Sequence, residues 1–301
     1  MGKTDLHMHS SVSLDGDISP RGLAELCQQD GVTLAALTDH NDIAGVAEFV
    51  WRGAQLGVHT IPGIELDCMY SESNLHILGY GIDIAAPILL NALRETHQLL
   101  AEASLRLMDA VEALGIWFER DTVLQQAKEG VVCAEMIARS ALQLPENWNH
   151  PLIRPLLPCG ALSDRPLVNF YWSVCAPSKP AYVPIPYMPA TQAIELIHQI
   201  GGLAVLAHPG ASIANTSVLE QILRLPLDGV EAFSSYHTEE QAAYYCGKAR
   251  AFHKLITGGS DFHGRSKSDI RLGRIDWQGQ EYMVRDALLT MLNSCGKSNR
   301  Q

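Results

Sequence analysis

Short apolar runs alternate with amphipathic stretches along two separated parts of the chain, and nearly every run ends in a histidine or a carboxylate. Residues 3–9 read as a strand that enters a His pair. Ser19 then stands as an N-cap before Pro20, Leu23, Leu26 and Cys27 form an apolar stripe, and Gly31 closes the helix. Val32 to Leu37 reads as a buried strand ending at Thr38-Asp39-His40, and a helix from about Ile43 stops at Gly57. His59 to Leu66 and Asn74 to Ile82 read as two more strands. The rhythm returns with helices at 191–200, 217–225 and 239–252, strands at 203–207, 229–233 and 255–258, and a last helix from about Glu281 to Leu292. Strands joined through helices lie parallel, so the expected class is α/β with a mainly parallel sheet. In such folds the active side chains sit where the strands end.

The stretch between these parts follows another pattern. Leu89, Leu93, Leu100, Leu107, Val111 and Leu114 recur at helical intervals, whereas 145–189 is rich in proline and aromatic residues. The expected division is 1–84 with 186–301 as the body, and 85–185 as an inserted helical and irregular lobe capping the substrate. Long irregular segments inside compact domains commonly serve as lids or binding loops.

Charge narrows the partners. Lys and Arg number 22 against 33 Asp and Glu, a net charge of −11, which disfavours duplex nucleic acid but leaves room for a small anion at a local positive site. The seven cysteines form no Cys-x-x-Cys pair, so free thiols in a reducing cytoplasm are expected rather than disulfides or a thiolate zinc site. No apolar run is long enough to span a bilayer. The first chemical cluster begins at Asp5, so a cleaved leader is not expected.

The strand ends collect Asp5, His7, His9, Asp15, Asp39, His40, Glu65, His76, His208, Glu231, His237, Asp261 and His263. His7 and His9 are two apart, so on a strand they share a face and can chelate one ion. Each piece has a plain reading as well. His-x-His suits a half-wet strand, Thr38-Asp39-His40 a helix cap, and His208 a core histidine before Pro209. Glu65 within an apolar strand is harder to explain, because an unpaired buried carboxylate is costly. Imidazole and carboxylate without thiolate suit zinc, manganese or iron(II), and the set exceeds the needs of one ion. A site for more than one divalent ion is therefore expected. His59, His97, His150, His198 and His253 read as surface or core residues.

The ordered motifs Asp5-Leu6-His7-Met8-His9-Ser10, Thr38-Asp39-His40-Asn41, Pro62-Gly63-Ile64-Glu65, His76-Ile77-Leu78-Gly79, Ala207-His208-Pro209-Gly210 and Gly259-Ser260-Asp261-Phe262-His263 resemble the PHP (polymerase and histidinol phosphatase) superfamily, and most of all its stand-alone metal-dependent phosphoesterases. The resemblance implies a distorted (β/α)7 TIM-like barrel with up to three metals at its mouth. It also implies a ligand set: His7, His9, Glu65 and Asp261 for a first ion; Glu65, His76 and His208 for a second; Asp15, His40 and His263 for a third. Asp5 and Asp39 are expected to orient ring N–H groups, and Glu231 is either a strand residue paired with a cation or part of the site. Asp15, His208 and His237 form the expected catalytic set, with His237 touching the phosphate or protonating the leaving group, against a structural role for it.

Related phosphatases carry a stretch reading roughly Arg-Pro-His-Ile-Ala-Arg in their insertion. Here Ala134-Glu135-Met136-Ile137-Ala138-Arg139 keeps only the last three. Pro177-Ser178-Lys179-Pro180-Ala181-Tyr182-Val183 resembles another family stretch. Arg139 and Lys179 are thus expected to hold a second, non-reacting phosphate. Arg154, Arg165, Arg265 and Lys267 are weaker candidates for that phosphate and read better as solvated surface charges, and Trp148, Tyr171, Trp172 and Tyr187 read as a small core of the lobe or as a surface for a base.

The resemblance implies hydrolysis of a small phosphorylated nucleoside or sugar phosphate by metal-activated hydroxide. AMP-like nucleotides, 3′,5′-bisphosphates and cyclic phosphate esters are the substrates expected. An exonuclease on short single strands is the alternative within the family. An amidohydrolase-type metal hydrolase also opens with His-x-His, although the Thr-Asp-His and Asp-x-His pairs fit it less well. A metal-stabilised binding module is the non-enzymatic alternative.

Overall fold

A computed structural model of the chain describes residues 2–213 and 215–298, the last four of them by backbone alone. The chain divides into two compact units, Met1–Leu93 with Tyr187–Gln301, and Arg94–Pro186.

The first unit is built on a seven-stranded sheet whose spatial order follows the chain: β1 (Lys3–Asp5), β2 (Val32–Leu37), β3 (His59–Tyr70), β4 (Ser73–Tyr80), β5 (Leu203–Leu206), β6 (Gly229–Ser234) and β7 (Leu255–Gly259). All neighbours pair parallel except β3–β4 and β4–β5, so β4 runs against the rest. The sheet closes on itself beyond β1 and β7, where Met8 bridges Phe262, the His9 N–H donates to the Phe262 carbonyl (2.8 Å) and the Asp261 N–H to the His7 carbonyl (2.8 Å).

Local chemistry sets the connecting helices. Ser19 accepts from the Gly22 N–H at the start of α1 (Pro20–Gln29), and α2 (Val46–Leu56) ends on Gly57 at φ 74°, a left-handed cap that glycine adopts without strain. Alternate strand residues face inward. Leu6, Leu34, Ala36, Ile61, Leu78, Tyr80, Leu203, Val205 and Ala207 pack with Leu288 of the terminal helix, making the interior a filled core. A second cluster packs Leu23, Cys27, Val46 and Phe49 of α1 and α2 against Ala35 and Leu37.

The second unit takes up most of α3 (Pro87–Ala113), with α4 (Arg120–Gln126), α5 (Ala134–Ala141), short turns, and α6 (Pro166–Phe170) running into a π-helical turn at Tyr171–Cys175. It has its own apolar core around Met108, Val111, Ile137, Ile153, Phe170 and Val174. The first unit resumes through α7 (Ala190–Gln199), α8 (Pro209–Ser212), α9 (Thr216–Leu223), α10 (Glu239–Ala251) and α11 (Glu281–Ser298).

Two expectations change. Residues 6–9 do not continue β1, because they turn across to bond the segment after β7. The third strand extends to Tyr70 and folds back into β4 as a hairpin, so Glu65 lies within a strand and opposes Leu78. Its turn places Ser71 at φ 55°, and the polar 71–74 stretch supplies the reversal. Cys27, Cys68, Cys133, Cys159, Cys175 and Cys246 are unpaired, while the side chain of Cys295 lies outside the described residues. Among the described residues no helix is long and apolar enough to cross a membrane.

Candidate metal centre

The reversal in β4 brings His76 to the same end as the other strand termini, opposite Asp67 of β3. There the structure gathers four interlocking groups of possible ligands: His7, His9, Glu65 and Asp261; Glu65, His76 and His208; His9, Asp15, His40 and His263; and His40, Asp67 and His76. Within each group the candidate ligand atoms lie within 4.8 Å of one another.

Glu65 is the centre. It is fully buried, and its two oxygens face different partners. Oε2 lies 3.1 Å from both His7 Nε2 and His9 Nε2 and 3.3 Å from His40 Nδ1, while Oε1 lies 3.0 Å from His76 Nδ1 and 3.1 Å from His208 Nε2. Asp261 Oδ1 stands 3.2 Å from His7 Nε2 and 3.0 Å from His9 Nε2. At the rim, Asp15 is half exposed and its Oδ2 is 3.0 Å from His263 Nε2.

These contacts fit cations. His9 Nε2, His40 Nδ1, Asp261 Oδ1 and His263 Nε2 are buried and have no hydrogen-bond partner, although each has an opposing oxygen or nitrogen close by. Lone pairs that converge without a shared proton are what a common ion satisfies. A buried polar atom left alone is otherwise costly. Imidazole nitrogens and carboxylate oxygens suit zinc, manganese or iron(II).

A surrounding layer fixes the ring orientations. His7 Nδ1 meets Glu231 at 3.0 Å, and Glu231 also accepts from the His208 N–H at 2.9 Å. Glu231 is thus the carboxylate behind His7. His76 Nε2 meets Asp67 Oδ1 at 2.9 Å, and Asn41 holds Asp67 through Nδ2–H to Oδ2 (2.7 Å) and by accepting the Asp67 N–H (3.0 Å). Such carboxylates select the tautomer that leaves the facing nitrogen free. His9 Nδ1 meets Ser13 Oγ at 3.2 Å, and Ser13 donates to Asp39 at 2.9 Å. His263 Nδ1 donates to the Asp261 carbonyl at 2.8 Å, turning Nε2 to Asp15.

Charge follows from this packing. Burial alone would raise the Glu65 carboxyl, but His7, His40 and His76 hold it well below the usual range. Burial would lower the His9 imidazole, and Asp261 with Glu65 reverses this and raises it to about 9. His40 goes the other way, to about 4, because burial and His9 outweigh Glu65. His208 at φ 21° and Asp261 at φ 56° hold left-handed backbone that side chains ordinarily avoid, a cost met at functional sites.

Several roles differ from the sequence reading. Asp5 touches no ring: its carboxylate accepts the N–H groups of Ser260 (2.8 Å) and Gly273 (2.8 Å) and so holds main chain. Asp39 reaches His9 only through Ser13. Lys267 is bound to Asp261 Oδ2 at 2.8 Å rather than solvated. Sequence reasoning did not single out Ser13 or Asp67; the Asp67-His76 pairing is visible only once the hairpin register is known. His97 pairs with Glu129, His150 with the Leu114 carbonyl and His198 with Asp228, away from the centre. Arg139 on α5 and Lys179 are exposed in the second unit.

His237 has both ring nitrogens committed to main chain. Nδ1 donates to the Ala232 carbonyl (2.8 Å) and Nε2 accepts the Gly210 N–H (3.0 Å). A side chain at Gly210 would strike the ring, since a Cβ there meets His237 Cδ2 at 2.6 Å. This arrangement pins the segment carrying His208 and offers no free nitrogen to a leaving group. His237→Ala is expected to lower stability by about 1–3 kcal/mol and to keep the shape of the pH–rate profile. Urea unfolding and a pH series check it; loss of an alkaline limb in the variant would restore an acid role.

An α/β barrel with interlocked imidazole–carboxylate clusters where its strands end defines a metal-dependent hydrolase. The PHP domain family matches over residues 5–139. Over most of their lengths the chain is similar to three proteins of known naming. One is the phosphoribosyl 1,2-cyclic phosphate 1,2-diphosphodiesterase of Eggerthella lenta (29% identical, 87% of this chain and 94% of that one). Another is the 3′,5′-nucleoside bisphosphate phosphatase of Chromobacterium violaceum (28%, 92% and 92%). The third is the 5′-3′ exoribonuclease Rnm of Escherichia coli (28%, 91% and 89%). A solved structure described as an amidohydrolase from Chromobacterium violaceum, with bound sulfate and no metal, superposes with a TM-score of 0.76 at 25% identity, over 91% of each chain. Residues 5–139 match a PHP domain, and over most of its length the chain is similar to stand-alone phosphoesterases.

Proposed function

We propose that this phosphoesterase hydrolyses a small phosphorylated nucleoside or sugar phosphate, a 3′,5′-bisphosphate, a mononucleotide or a cyclic phosphate ester. The observation that carries the reading is Glu65, one buried carboxylate in contact with five imidazoles and so shared between clusters. In this reading His7, His9, Glu65 and Asp261 hold one ion, Glu65, His76 and His208 a second, and Asp15, His40 and His263 with His9 a third. When bound, such ions supply positive charge for phosphoryl oxygens and a nucleophile at neutral pH. Two divalent ions already outweigh the charge of Asp15, Glu65 and Asp261. An anion is then attracted locally by a chain whose net charge is −11.

Arg139 and Lys179 are the residues proposed to hold a second phosphate. The relatives named for a bisphosphate and a cyclic phosphate support a small substrate. An exoribonuclease reading rests on the Escherichia coli relative, and the acidic balance speaks against extended contact with a polyanion. Phosphate release from the manganese-loaded protein on AMP, 3′,5′-adenosine bisphosphate, a ribose cyclic phosphate and a labelled oligonucleotide tests the choice. One strong small substrate is the expected result, with KM raised in Arg139→Ala and Lys179→Ala on bisphosphates. Stepwise release of nucleotides from the oligomer, with none of the small esters cleaved, would replace this reading by the exonuclease.

A further inference from the structure

The two oxygens of Asp261 live in different settings. Oδ1 faces His7 and His9. Oδ2 accepts from Lys267 Nζ (2.8 Å) and from the Tyr236 hydroxyl (2.5 Å), and Lys267 Nζ also donates to that hydroxyl (2.9 Å). The ammonium is thus held by two of its three protons. No partner among the described residues takes the third, and the side chain keeps about a third of its surface exposed.

The placement is specific. Lys267 ends a short helical turn, Gly264–Lys267, that directly follows His263. Gly264, at φ 72°, makes the reversal that returns the chain toward Asp261. Tyr236 carries Lys267 over its ring at 5.6 Å and meets the His208 ring edge-on at 5.8 Å. The ammonium therefore stands beside a ligand of the first cluster and one ring away from a ligand of the second. Arg265, the other cation of this turn, is turned away to Asp17.

We propose that Lys267 is a catalytic residue whose third N–H binds a non-bridging oxygen of the substrate's reacting phosphoryl group, while Tyr236 and Asp261 act as positioning residues that aim it. The inference rests on the phosphoesterase reading and adds to it a cation supplied by the barrel itself. A lysine suits the task as a compact charge, and a charge-assisted hydrogen bond to phosphate is among the stronger contacts available.

The test is calorimetric titration of inorganic phosphate into the full chain, chelator-treated and manganese-loaded, alongside steady-state kinetics and elemental analysis. Lys267→Met is expected to weaken phosphate binding in both forms by about tenfold, to raise KM by a similar factor, and to leave manganese content unchanged. Lys267→Arg should restore most of the affinity, and Tyr236→Phe should fall between. Phosphate affinity and KM unchanged in Lys267→Met would overturn the proposal. So would a wild-type protein that binds no phosphate even with manganese, or a loss of manganese with phosphate affinity intact. If no ester of the panel is cleaved yet Lys267→Met still loses the tenfold, the substrate reading fails and the phosphate contact stands.

Discussion

Glu65→Gln is expected to lower kcat by on the order of 10³ and to cost at least one bound ion per chain. Glutamine keeps the shape but removes the charge, and it replaces one of two equivalent acceptor oxygens with an NH₂ group. That group would face either the His7, His9 and His40 nitrogens or those of His76 and His208, whichever way the amide turns. A donor cannot be shared with a cation, so one cluster is broken in each orientation. Elemental analysis after gel filtration, paired with single-turnover rates, decides the matter. A variant with full metal content and near-parental kcat would mean that Glu65 is a packing residue and that the clusters are independent.

The second large effect concerns the chelated protein. Without ions, His9 is raised to about 9, and His7 and His76 are raised as well, burial opposing and the carboxylates prevailing. A raised imidazole stabilises the fold fully below its unfolded value, roughly 6.5, and the contribution is lost as pH climbs through the folded value. His40, lowered to about 4, contributes above roughly 6.5 and is lost as pH falls toward 4. The chelated protein should therefore lose stability from pH 6.5 to about 9, with a smaller loss on the acid side. Ion binding needs these imidazoles unprotonated, so the loaded protein should lack the alkaline loss and metal uptake should release protons. Urea midpoints at both pH values, with and without chelator, measure it. An alkaline decline of equal size in the loaded protein would place its origin elsewhere.

The candidate ligands were legible in the sequence because short apolar runs must end, and these runs end in imidazole or carboxylate. His7, His9, His40, His208, Asp261 and His263 all follow from that rule. What was not legible depends on pairing across long separations. Asp67 faces His76 only because the β3–β4 turn fixes the register. Lys267 meets Asp261 only because Gly264 reverses the chain between them, a step that no periodicity announces. Asp5 and Asp39 carried the right residue type for orienting a ring, but their oxygens are claimed first by nearby N–H and hydroxyl donors. A ring position depends on atoms, whereas a strand end depends on pattern.

The bonds between the segment at His7–His9 and that at Asp261–Phe262 have a consequence for synthesis. The chain makes three members of the first ligand group, His7, His9 and Glu65, within its first 65 residues, and the fourth, Asp261, some 250 residues after the His pair. During translation the early histidines must wait, without Asp261, until β7 has left the ribosome and the ring can shut. The complete first group therefore cannot assemble before Asp261 has been made. A ribosome-bound fragment stopped before Leu255 would present His7 and His9 as an incomplete chelate, open to whichever ion arrives first.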